Sequence, residues 1–289
     1  MDPMKEGALA LITGPTSGIG REIARQLCEQ GANLVLACRD TDAGARLAEE
    51  LLGSRPGASI AVRQVDVSSG ESIRALANRL RREGLALDVL VNNAGVHTAH
   101  RRPGPEGGEL TFATNVLGYF RLSLDLLDLL KEGVVAHGEA RIVNVASTFA
   151  TAPDLDDLLF ERRPFAGREA YSQSKACNRM LTRALARRLE GESITVNSMA
   201  PGLVQTGLFR ETKWTTRLVV RAAGLFFGRS VEQGADTAVW LASSDELRGR
   251  SGGFYSQRVE QACGFSDQER EEALWRKCEE LGGREAWPA

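Results

Sequence analysis

Residues 8–20 read A-L-A-L-I-T-G-P-T-S-G-I-G, and the reading of this stretch decides the fold class. Residues 8–13 form a short apolar run suited to a buried strand, and Gly14, Gly18 and Gly20 follow at once. A helical pattern opens at Ile19 and continues through Ile23, Ala24, Leu27 and Cys28. Strand, glycine-rich turn and helix together are the setting in which a chain binds a dinucleotide. Gly14 permits the tight turn, and the backbone from Ser17 to Gly20 can approach a pyrophosphate whose charge a helix N-terminus favours. The spacing is G-x-x-x-G-x-G rather than the commoner G-x-G-x-x-G, and glycines serving only a turn would read the same way.

The rest of the chain repeats the alternation. Residues 33–37, 58–65, 85–91, 140–146 and 193–199 are further apolar runs of strand length, separated by helical patterns. Such alternation predicts a parallel sheet covered on both faces, with ligands beyond the carboxyl ends of the strands. Gly14 to Gly20, Arg39, Asp66, Asn93, Ser147 and Pro201 all fall at those ends. At the tip of the second strand, Ala37-Cys38 is followed by Arg39, a guanidinium that suits a ribose 2′-phosphate or is simply solvated. Asp40 stands one position late for a ribose hydroxyl and suits a helix cap. Asp66 either accepts from an adenine amino group or caps the helix that starts near Ser69. Asn92-Asn93-Ala94-Gly95 leaves the fourth strand with small residues and amides that permit close approach to a ligand.

Residues 97–108 are polar and rich in Gly and Pro, which predicts a mobile loop. Residues 110–130 read as one long helix, apolar on nearly every side, with Asn115 an isolated amide within it. Such a helix packs on the sheet and is open to a second subunit, so a homodimer or homotetramer is expected. In residues 169–180, Tyr171 and Lys175 stand four apart on one face of a helix. A nearby cation lowers a phenol's pKa, and a tyrosine tuned in this way passes protons at neutral pH.

The whole-chain numbers bound these readings. At 289 residues, 26% charged and a formal net charge of -2, the chain is long enough for one large domain and lacks the basic balance of a nucleic-acid protein. Of five widely spaced cysteines without a C-x-x-C, several lie in apolar patterns and read as buried thiols, and a reducing, cytoplasmic setting is expected. The three histidines do not pair at metal-ligand spacing, so no metal is expected. No apolar run reaches transmembrane length, and residues 1–6 do not read as a signal peptide.

Thr13-Gly14-x-x-x-Gly18-Ile19-Gly20, Asn92-Asn93-Ala94-Gly95, Ser147, Tyr171-x-x-x-Lys175 and Pro201-Gly202 occur in one order. This set resembles the short-chain dehydrogenase/reductase family along nearly the whole chain. The long interval from Ser147 to Tyr171, the sequence A-Y-S-Q-S-K-A-C-N, and the end of the chain with Phe254, Tyr255, Leu274 and Trp275 resemble its retinol-dehydrogenase-like branch. Pro15 departs from the small residues usual after the first glycine. The resemblance implies an α/β fold: one Rossmann-type, doubly wound parallel sheet of about seven strands with helices on both faces. Residues 1–289 would form a single domain, with 7–95 the core of the cofactor-binding half and 140–206 the catalytic half. Residues 207–230 would be a substrate lid, and 231–289 the C-terminal helices and last strand.

The resemblance also assigns roles. Tyr171 is the expected general acid/base, and Lys175 holds the nicotinamide ribose and depresses the tyrosine's pKa. Ser147 hydrogen-bonds the substrate oxygen, and Asn115 positions a relay water. Gly14, Thr16, Ser17, Gly18, Ile19, Gly20, Arg39, Asp66, Val67, Asn93, Ala94, Gly95, Pro201, Gly202, Val204 and Thr206 are the expected cofactor contacts, with Tyr171 and Lys175. The expected reaction is NADP(H)-dependent interconversion of a small-molecule carbonyl and alcohol, with NADP(H) favoured over NAD(H) by Arg39. The apolar content of residues 203–229 fits a lipophilic or bulky substrate, and core packing plus a lid outweighs shallow membrane contact. Rival readings are a non-catalytic NADP(H)-binding or sensing protein, and a natural-product reductase acting on an imine or other unsaturated group.

Overall fold

A computed structural model describes residues 4–202, 204 and 229–283. The lid expected at 207–230, apart from its last two residues, and the cofactor contact expected at Thr206 lie outside the described residues. Eight strands form one sheet in the order β3-β2-β1-β4-β5-β6-β7-β8. They are β1 (Leu9–Thr13), β2 (Asn33–Cys38), β3 (Ile60–Gln64), β4 (Val89–Asn92), β5 (Ala140–Val145), β6 (Ile194–Ala200), β7 (Phe254–Ser256) and β8 (Val259–Gln261). The first seven are parallel, with Leu11 opposite Val35 on one side and Leu90 on the other. β8 alone runs antiparallel, pairing Tyr255 with Glu260.

Sheet burial explains the unbroken apolar runs. Along β1, Leu11 enters one core while Ala10 and Ile12 enter the other, and β2 repeats the division with Val35 against Leu34 and Leu36. One core is closed by α1 (Gly18–Glu29), α2 (Thr41–Ser54) and α8 (Val231–Ser243). The opposite core is closed by α3 (Gly70–Arg82), α5 (Gly118–Asp125), α6 (Leu127–His137) and α7 (Gly167–Arg188). A strand buried on both faces has no polar side to alternate.

Four expectations change. The sheet gains an eighth strand because Gln257 and Arg258 both take positive φ, 55° and 59°, in a two-residue hairpin. That turn usually advertises itself as Asn-Gly, and here a carboxylate holds it instead: Arg258 pairs with Asp236 at 2.5 Å. The expected helix at 110–130 is also not continuous. A three-residue turn, α4 (Leu110–Phe112), leads into a π-helical turn at Ala113–Leu117 before α5, and a break at Leu126 starts α6.

Residues 97–108 are not a solvated loop along their length. His97 and Thr98 are buried, Pro103 bridges to Glu109, and Glu106 accepts from the Gly70 amide at 2.7 Å. Finally, the apolar sides of α5 and α7 turned away from the sheet are met by the chain's own α9 (Gln268–Gly282), through Leu274, Trp275 and Cys278. Among the described residues, no helix is long and apolar enough to cross a membrane.

Candidate active site

Parallel strands deliver their carboxyl ends to one edge, and the residues there are tied together by short hydrogen bonds. The Thr13 hydroxyl accepts from the amides of Asn93 at 2.9 Å and Ala94 at 3.0 Å, which joins the ends of β1 and β4. The Asn93 side chain donates to the carbonyls of Thr13 at 2.9 Å and Gly14 at 3.2 Å. Asn93 therefore braces the glycine turn from beneath. A Cβ on Gly20 would stand 2.3 Å from both the Asn93 amide nitrogen and the Gly14 carbonyl, so the helix approaches this closely only because residue 20 has none. Gly14 and Gly18 take φ of 63° and 54°, and Pro15 is accommodated between them in a buried position.

The cradle fits a dinucleotide. α1 has Ser17 at its N-cap with no side-chain cap bond, and its first turn holds no acid, so its N–H groups are left for an anion. Thr16 and Ile19 are half-buried on this turn, and Ile19 and Val204 both pack around Gly234. Arg39 is exposed beyond β2, beside the glycine turn that the Ala37 carbonyl anchors through the Gly14 amide at 3.0 Å. Arg39 makes no ion pair among the described residues, and Asp40 caps α2 by accepting from the Ala43 amide at 2.9 Å.

The cap of α3 is Ser69, not Asp66. One Asp66 oxygen accepts from the amide and hydroxyl of Ser68, at 3.0 and 2.7 Å, and the other has no partner among the described residues. Val67 is buried, and Gly118 packs so closely that a Cβ there would meet the Val67 carbonyl at 2.5 Å. Ala94 and Gly95 are half-buried; a Cβ on Gly95 would lie 3.3 Å from Asn115 and 3.8 Å from the Lys175 ammonium. Pro201 and Gly202, the latter at φ 80°, leave the end of β6 half-exposed.

Ser147, Tyr171 and Lys175 meet at the centre of this edge. Ser147 sits two residues past β5, and its hydroxyl hydrogen-bonds the Tyr171 phenol while accepting from the Phe149 amide at 3.1 Å. α7 is buried on every side from Ala170 to Thr182, so its polar side chains must each find a partner. Lys175 donates to the Val145 carbonyl at 2.8 Å and lies 5.7 Å from the centre of the Tyr171 ring. Asn115 occupies the π-helical turn, where the extra residue turns its side chain inward. There it accepts from the Val96 amide at 2.8 Å and donates to the Val96 carbonyl and the Ser174 hydroxyl, both at 3.0 Å. Both N–H groups of its amide are thus committed to protein partners, while its oxygen, accepting once, keeps a second lone pair that a water could use.

Electrostatics correct one expectation. In this structure burial sets the direction of the Tyr171 shift, and the group that opposes it is Ser147 rather than Lys175. Burial pushes the phenol up to about 12, opposed by the Ser147 hydrogen bond. Burial also pulls the Lys175 ammonium down to about 7. A lysine depressed in the fold sheds its proton there first, while the unfolded chain keeps its own up to about 10.5. Burying Lys175 therefore costs the fold nothing above about pH 10.5, and the cost grows as pH falls toward 7. Lys175→Met should remove this dependence, so that urea unfolding shows the variant gaining on the native chain as pH falls from 10 to 7. Equal pH slopes for the two proteins would contradict the buried-ammonium assignment.

Several contributors carry no motif of their own. Thr13 and Ser174 stand inside the quoted stretches, but their bracing roles show only in their partners. Tyr119 lies 5.4 Å from Lys175 and shares the Val145 carbonyl with it, and the His97 ring meets Tyr171 edge-on at 5.9 Å. Arg179 alone left a signal, four residues beyond Lys175 in the row that begins at Tyr171.

Residues 8–216 match the family model described as short chain dehydrogenase. Human retinol dehydrogenase 14 is 36% identical over 306 residues, covering 99% of this chain and 86% of that protein. The chloroplastic short-chain dehydrogenase TIC 32 B of Brassica napus is 37% identical over 254 residues, covering 86% of this chain and 79% of its own length. Among solved structures, the Pseudomonas aeruginosa RhlG/NADP active-site complex is 29% identical with a TM-score of 0.70, covering 92% of this chain and 99% of that one.

Proposed function

The chain belongs to the short-chain dehydrogenase family, and from that premise we propose that it is an NADP(H)-dependent oxidoreductase interconverting a carbonyl and an alcohol, with Tyr171 as general acid/base. The observation that carries the reading is the hydrogen-bonded pair of Ser147 and Tyr171 with Lys175 behind it, at the strand ends beside the glycine turn. Gly14, Thr16, Ser17, Gly18, Ile19 and Gly20 would hold the pyrophosphate. Asp66 and Val67 would meet the adenine, Asn93, Ala94 and Gly95 would line the floor, and Pro201, Gly202, Val204 and Thr206 would flank the nicotinamide.

When bound, the reduced nicotinamide supplies a hydride. The protein's part is proton and charge. At neutral pH Tyr171 is protonated, which suits it to give its proton to a carbonyl oxygen in the reductive direction. The Ser147 hydroxyl donates to the same oxygen as charge develops on it, a contribution of about 3–4 kcal/mol for one such donor. The Lys175 ammonium stabilises the phenolate left behind, and Asn115 positions the water through which the phenol is reprotonated. Phe149, exposed two residues past Ser147, offers an apolar surface to a lipophilic or bulky substrate.

Arg39 supports NADP(H), since an exposed guanidinium beside the glycine turn suits a 2′-phosphate. The test is to follow NADPH and NADH absorbance against small, steroidal, retinoid and polyketide-like carbonyls. Arg39→Ala should raise the KM for NADPH about 10- to 100-fold, the effect of losing a charge-assisted contact of about 1.5–3 kcal/mol, and leave that for NADH nearly unchanged. Preference for NADH in the native chain, unaltered by the substitution, would remove the NADP(H) assignment. Failure of every carbonyl and alcohol with both cofactors would count against the reaction class.

A further inference from the structure

Arg179 is a buried cation with no carboxylate partner among the described residues, at 6% exposure. Its guanidinium donates to the Ser147 carbonyl and, at 3.0 Å, to that of Cys263, and it lies 3.7 Å from the centre of the Phe254 ring. An uncompensated charge costs several kcal/mol to bury, and here carbonyl dipoles and a ring face offset the cost. The placement is specific. Tyr171, Lys175 and Arg179 form one row on α7, and the two cations hold the carbonyls of Val145 and Ser147 in turn. On the other side, the Ala146 amide donates to Met199 at 2.7 Å. The three-residue segment carrying the Ser147 hydroxyl is therefore gripped from both sides.

We propose that Arg179 is a positioning residue: by holding the Ser147 carbonyl it sets the serine hydroxyl against the Tyr171 phenol. The inference rests on the reaction proposed above and deepens it. Lysine cannot reproduce the grip, because a compact ammonium does not span two carbonyls and stack on a ring as a planar guanidinium does.

The test measures reduction kinetics and NADPH affinity for Arg179→Met and Arg179→Lys, each alone and combined with Ser147→Ala. In the native background Arg179→Met should lower kcat about 10- to 100-fold, with Arg179→Lys falling between it and the native chain. The NADPH Kd should move less than about twofold. In the Ser147→Ala background the same change should cost less than about threefold, because its effect passes through the serine. An unchanged kcat, or an equal loss in both backgrounds, would overturn the proposal while leaving the dehydrogenase reading in place. Should the native chain reduce no carbonyl, a crystal structure of Arg179→Met decides the matter. Loss of the Ser147–Tyr171 hydrogen bond supports the positioning role, and its retention refutes it.

Discussion

Replacing Tyr171 with phenylalanine is expected to lower carbonyl reduction by about a thousandfold or more while leaving NADPH affinity within about threefold. The substitution removes one oxygen from a side chain that is 7% exposed and keeps the ring, including its edge contact with His97. The fold should barely notice, since the lost hydrogen bond is one with Ser147, whose hydroxyl still accepts from the Phe149 amide. Turnover should notice a great deal, because no other acidic proton is placed beside Ser147 by a described hydrogen bond. Single-turnover NADPH oxidation and a fluorescence titration of NADPH would separate the two effects. Unchanged turnover would end the mechanism. The same assignment predicts that alcohol oxidation by the native chain speeds up as pH rises above neutrality, since a phenol pushed up to about 12 must be deprotonated to act as base.

The second large effect is on stability. Trp275→Ala should destabilise the fold by about 3–5 kcal/mol in urea unfolding, as for other large-to-small changes in a core. Trp275 is 1% exposed and packs edge-on against Phe120 with ring centres 4.8 Å apart. The Arg188 guanidinium covers its ring at 3.9 Å, and its indole nitrogen donates to Glu279 at 2.7 Å. Around it, Glu271, fully buried, takes ion pairs from Arg183 at 2.7 Å and from Arg187. This cluster fixes α9 over the apolar faces of α5 and α7. Trp275→Phe keeps an aromatic ring there and should recover more than half of the loss. A loss below about 1 kcal/mol for the alanine variant would mean that α9 contributes little to the core.

The candidate site was legible where its chemistry depends on local spacing. Four residues on a helix make a shared face, so Tyr171 and Lys175 could be paired on paper. A glycine turn between a strand and a helix announces itself in the same way. Asp66 was not settled, because a carboxylate near a helix start has two uses; Ser69 took the cap and Ser68 took one oxygen. Asn115 looked like an amide stranded in an apolar helix, and only the π-helical turn turns it onto Val96 and Ser174. Spacing likewise puts an ammonium near a phenol but says nothing of how deeply both are buried, and burial raises Tyr171 and lowers Lys175 here.

What the amino-acid order determined by itself is the alternation of strand and helix, the edge to which the candidate site residues are delivered, and the identity of the central hydroxyls and amine. Those follow from backbone periodicity and from each residue's own chemistry, which need no knowledge of distant neighbours. Tertiary structure alone decided that α9 covers α5 and α7, that β8 closes the sheet's edge, and that Arg179 grips the segment bearing Ser147. Each of these joins residues far apart in the chain, and contacts of that kind are set by burial and shape when the elements pack together.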